Sequence, residues 1–115
     1  MNKINVIKEL LAKNNEVEIW VKFRKSKRIV PFVEIKHTLG KSIVINAPCW
    51  LGDKFKLKQK SYSPVIADST DFLVSDENTL TKIIEYIFRR FDVRQIRYGT
   101  GFFKKNIITI KGEEK

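Results

Sequence analysis

The segment EVEIWVKFRKSKRIVPFVEIK, residues 16–36, restricts the fold more than any other. Val17, Ile19, Val21 and Phe23 alternate with Glu16, Glu18, Trp20 and Lys22, which is the period of a strand with one buried face. Residues 28–36 are rich in β-formers, and Lys25-Ser26-Lys27 between the two runs is short enough for a tight hairpin loop. A loop of those three residues sets Arg24 opposite Arg28, Phe23 opposite Ile29, Val21 opposite Pro31, Ile19 opposite Val33 and Val17 opposite Ile35. The apolar residues then share one face. Trp20 and Phe32 oppose each other on the other face, amid Lys22, Arg24, Arg28 and Lys36, with Glu18 opposite Glu34. Pro31 cannot donate to a ladder, so it predicts an edge strand or a bulge.

The rest of the chain reads around this hairpin. Ile4, Ile7, Leu10 and Leu11 predict a helix over residues 3–13 that docks on the sheet. SIVINAP contains a buried strand ended by Pro48, CWLGD a turn with an apolar anchor, and KFKLKQK (54–60) a strand with lysine on one face. Residues 61–71 read as a loop, and Phe72–Val74 as a short strand. Ser75 or Asp76 can cap a helix near 76–91, whose stripe is Leu80, Ile83, Ile84, Ile87, Phe88 and Phe91. Residues 93–98 and 107–112 complete the strands, and 110–115 read as a frayed tail. The expectation is a single small α+β domain over 1–115: an antiparallel sheet, an N-terminal helix and a longer second helix.

A chain of 115 residues buries about two thirds of its unfolded surface and needs no disulfides. Lone Cys49 and lone His37 cannot build a Cys/His zinc site, so neither metal nor cofactor is expected. No apolar run is long enough for a membrane helix, and the N-terminus lacks the apolar core of a signal peptide. The expectation is a cytoplasmic protein with no membrane partner.

Charge points to a partner class. Lys and Arg number 23 against 13 Asp and Glu, a formal net charge of +10. Such a field attracts phosphate polymers, although a lysine-rich composition can also reflect a host proteome. Four separated regions combine basic and aromatic character. In the hairpin, Trp20 and Phe32 would stack bases while Lys22, Arg24, Lys25, Lys27 and Arg28 neutralise phosphates. Lys54, Lys56, Lys58 and Lys60 would lie about 7 Å apart along a strand, near the spacing of successive phosphates, or would protect an edge. Lys82, Tyr86, Arg89 and Arg90 lie off the helix stripe and also read as a solvated face. RYGTGFFKK interleaves Arg97, Tyr98, Lys104 and Lys105 with glycine and phenylalanine. The expected function is binding of nucleic acid, single strands preferred, DNA or RNA. The alternative is a non-catalytic interaction or assembly module, of the kind encoded by viruses and mobile elements. Its exposed aromatics would form a homo- or hetero-oligomer interface, a homodimer included.

Catalysis has weaker support. Glu34-x-Lys36 resembles the metal-binding end of PD-(D/E)xK nucleases, but the preceding aspartate is missing, since the first in the chain is Asp53. Glu16 or Glu18 would have to replace it, with Glu9 as an outer ligand. LGKS at 39–42 resembles the end of a phosphate-binding loop but has Ile35 where glycine is required. The expectation is that the protein is not an enzyme.

Overall fold

The alternating segments form strands and the striped segments form helices. The computed structural model describes residues 2–13, 15–37, 42–60, 69–100 and 106–110. In chain order the elements are α1 (Lys3–Ala12), β1 (Glu16–Lys22), β2 (Ile29–His37), β3 (Ile43–Pro48), α2 (Cys49–Lys54), β4 (Lys58–Gln59), β5 (Ser69–Val74), α3 (Glu77–Arg90), β6 (Asp92–Gly99) and β7 (Asn106–Thr109). They build one α+β domain around a sheet of order β4-β5-β3-β2-β1-β6-β7, in which every neighbouring pair is antiparallel. The strands β1, β2 and β3 form a meander, while β3–α2–β4 and β5–α3–β6 are crossovers.

Helix starts follow local chemistry. Asn2 accepts the backbone N–H groups of Ile4 and Asn5, which caps α1. Asp76 accepts that of Thr79 at 2.7 Å and caps α3. The helices lay Ile7, Leu11, Leu51, Leu80, Ile83, Ile84 and Ile87 against one face of the sheet. That face supplies Val17, Ile19, Val21, Val33, Ile35, Ile45, Phe72, Val74, Val93 and Ile96. Each such side chain contributes about 1.5–3 kcal/mol when fully buried. Among the described residues no helix is long and apolar enough to cross a membrane.

The hairpin register departs from the expected one at a single place. Val17↔Ile35, Glu18↔Glu34 and Ile19↔Val33 pair as expected, but the register then shifts to Trp20↔Pro31, Val21↔Val30 and Lys22↔Ile29. Phe32 is the extra residue of a β-bulge, so it does not oppose Trp20. The bulge has a physical reason. It turns Pro31 off the core face and puts Val30 opposite buried Val21, and Val30 packs on the core. Strand β2 is internal to the sheet, and β3 pairs only with its Glu34–His37 portion, so Pro31 lies where β2 has β1 alone as neighbour. Pairing ends at Lys22↔Ile29, which leaves residues 23–28, not three residues, as the connection.

Other expectations are corrected too. CWLGD is the body of α2 rather than a turn. Lys54 ends that helix, Lys56 has a positive φ of 54°, and only Lys58–Gln59 is strand, so no row of lysines runs along a strand. Strand β5 begins at Ser69, inside the segment read as loop, and residues 61–68 lie outside the described residues. Helix α3 stops at Arg90, and Phe91 is extended, with φ −122° and ψ 152°.

Candidate nucleic-acid interface

Trp20 stands on the sheet face opposite the helices, with a register shift on each side of it: one toward β2, the other toward β6, where Arg94 is the extra residue. Its indole N–H donates to Glu18 Oε1 at 3.2 Å. The Arg97 guanidinium stacks on its ring, 3.6 Å from the centroid, and Arg97 Nε donates to Gln95 at 3.0 Å. Arg97 and Trp20 are therefore brought together as a closed unit. One ring face is already occupied by a cation, Glu18 lies beside Trp20 on the same strand, and its partners across the neighbouring strands are Pro31 and Gln95 rather than a rim of lysines. Lys22 faces Asp92 across β6, and Asp92 is held below its usual pKa mainly by its hydrogen bonds with Arg94.

The aromatic surface lies at one end of the sheet. There β1 ends, β2 begins, β3 runs into α2, and α3 delivers its last turn. Phe91, freed from the helix stripe by the stop at Arg90, packs 4.5 Å from Phe32, 6.2 Å from Phe23, 6.0 Å from Trp50 and 6.4 Å from Tyr86, measured between ring centroids. Phe32, turned by the bulge, also meets Phe23 and Trp50. Lys54 Nζ sits 4.8 Å over Tyr86. The cluster has a packed base and two open rings: Phe23 is 42% exposed and Trp50 46%. These two rings flank an open groove of about 1010 Å³, whose lining includes Phe32, Glu18, Glu34 and Asn46.

Cations gather at the same end. The 23–28 connection starts at Phe23 and exposes Arg24, Lys25, Lys27 and Arg28. Ser26 shapes it: its N–H donates to the Phe23 carbonyl at 3.0 Å, and its hydroxyl accepts the Arg28 N–H at 3.1 Å. Arg89 and Arg90, exposed in the last turn of α3, immediately precede Phe91. The fold thus keeps the hairpin cations and Phe32 in one place, adds Arg89 and Arg90, and separates them from Trp20.

The remaining predicted positions fall elsewhere. Tyr98 is half-buried, opposite Val17, and packs on the core. Lys58 and Lys60 are exposed at the β4 edge of the sheet. Lys104 and Lys105, with most of LGKS, lie outside the described residues. Glu34 occupies the face away from α1, which carries Glu9, so Glu9 does not join it. Among the described residues no three His, Cys, Asp or Glu side chains gather as a metal cage. Sequence reading missed Phe23, Trp50 and Phe91 as site residues, because Phe23 fitted the apolar face of β1 and Phe91 the helix stripe. The signal at hand was Trp50, the apolar anchor of the segment after Pro48 that forms α2. No family model, curated protein or solved structure matches the chain.

Proposed function

We propose that the protein binds single-stranded nucleic acid in the groove at the end of its sheet. Trp50 and Phe23 stack on bases, while Arg24, Lys25, Lys27, Arg28, Arg89 and Arg90 neutralise phosphates around them. The reading is carried by one observation: Phe23 and Trp50, the two exposed rings of the cluster that Phe32, Phe55, Tyr86 and Phe91 complete among the described residues, open at the end of the molecule where the hairpin and α3 cations gather. Base–aromatic stacking contributes about 1–3 kcal/mol per base and is indifferent to sequence, and counterion release supplies the electrostatic part. A groove, rather than a flat face, suits single strands, whose bases are free to turn inward.

The two tryptophans make the test direct. In Trp20→Phe, Trp50 is the sole tryptophan. Titration with oligo(dT) at low salt is expected to quench its fluorescence, and Trp50→Ala to weaken binding by roughly tenfold or more while the fold survives. Unchanged affinity in Trp50→Ala, or no binding by wild type, refutes the reading.

A further inference from the structure

We infer that the groove discriminates among bases through the Glu18 carboxylate, favouring guanine and disfavouring thymine and uracil; this rests on the single-strand reading above. Glu18 lines the same groove as Phe23, Phe32 and Trp50. Its Oε1 accepts the Trp20 N–H, and Trp20 is pinned by Arg97, so the carboxylate is oriented by a side chain that is itself held. Among the described residues Glu18 has no ion-pair partner, which leaves Oε2 and the second lone pair of Oε1 to accept from a ligand. Asn46 adds an uncharged acceptor to the groove: its amide N–H₂ donates to Asp71 at 2.9 Å, which leaves its carbonyl oxygen free to accept.

An acceptor-bearing groove selects bases by their donors. Guanine presents N1–H and N2–H₂ side by side, a pair that matches one carboxylate. Cytosine and adenine offer one amino group each. Thymine and uracil flank their single N3–H with two carbonyl oxygens, which a carboxylate repels. The same negative charge turns phosphates away from the groove and toward Arg24, Lys25, Lys27 and Arg28. The strand therefore enters bases first. This also accounts for a tryptophan on the polar face of β1: Trp20 is a positioning residue for Glu18, not a stacking platform.

The test compares anisotropy titrations of labelled oligo(dT) and an alternating dG-dT oligonucleotide of equal length, in lithium buffer to suppress guanine quadruplexes. Wild type is expected to prefer the guanine-containing strand by about tenfold. Glu18→Gln, which keeps the size and replaces one acceptor with a donor, is expected to bring the ratio near one without weakening oligo(dT). Trp20→Phe, which keeps a ring under Arg97 and deletes the N–H, is expected to lower the ratio while oligo(dT) affinity holds. Equal wild-type affinities, or a ratio unchanged in Glu18→Gln, overturn the inference and leave single-strand binding standing. Failure to bind either strand overturns both.

Discussion

Gly52 lies in α2 against the ring of Phe72, and a Cβ there would fall on that ring. Phe72 is itself buried in the core and has no room to retreat. Gly52→Ala is therefore expected to destabilise the fold by about 1–3 kcal/mol, read as a lower denaturant midpoint with an unchanged slope. No rule of local sequence reveals this contact, because the two residues belong to different elements. Trp20 shows a second boundary of the same kind. Its displacement from the apolar face of β1 is visible in the sequence, but its partner Arg97 comes from β6, and only the pairing β1–β6 makes Trp20 a prop for Glu18 instead of a free ring. Phe32 is intermediate. Pro31 announced a bulge, yet which residue would be extra depended on Val30 being the better match for Val21 in the core.

Among the elements, α3 is the one most legible in the sequence, because its cap and its stripe are both local. Asp76 holds its carboxyl below the ordinary value, chiefly through the backbone N–H of Thr79 and then its hydroxyl. A lowered folded-state pKa means that the carboxylate stabilises the fold above the unfolded pKa, near 4, and that this contribution is lost as pH falls through the folded value. Asp76→Ala is thus expected to lower the thermal midpoint at neutral pH, and the gap to wild type is expected to narrow below about pH 4. Thermal melts at several pH values check this; a gap independent of pH would assign the loss to something other than the carboxylate. The stretch Lys54–Lys60 was the opposite case. Alternation requires only that Phe55 and Leu57 reach the core two residues apart, and a helix end followed by a turn achieves that as well as a strand does. The chain took the turn, with Lys56 at positive φ. Period alone could not separate the two.

For the molecule as a whole, the net charge of +10 is a property of the sequence, but its usefulness depends on distribution. If Arg24, Lys25, Lys27, Arg28, Arg89 and Arg90 all contact phosphates of a single strand, the logarithm of the binding constant is expected to fall against that of the salt concentration with a slope of about −4, at roughly −0.7 per contact. Lys25→Gln with Lys27→Gln is expected to make the slope shallower by about 1.4. A slope near zero would point instead to a protein partner on the same rings. The site was half legible for one reason: hairpin cations are neighbours in sequence, whereas the aromatic cluster draws on the 23–28 connection, β2, α2 and the end of α3. The strand order carries a last consequence, for how the molecule assembles. Strands β1, β2 and β3 pair in the order of synthesis across short separations, while β5 reaches β3 only after α2 and β4, and β6 reaches β1 only after α3 has crossed the sheet. Loop-closure entropy favours the near pairings first. The N-terminal half is thus the template on which the C-terminal half condenses. Phe91 joins the rings of both halves, so the aromatic cluster is expected to close only when the C-terminal half docks on the N-terminal one.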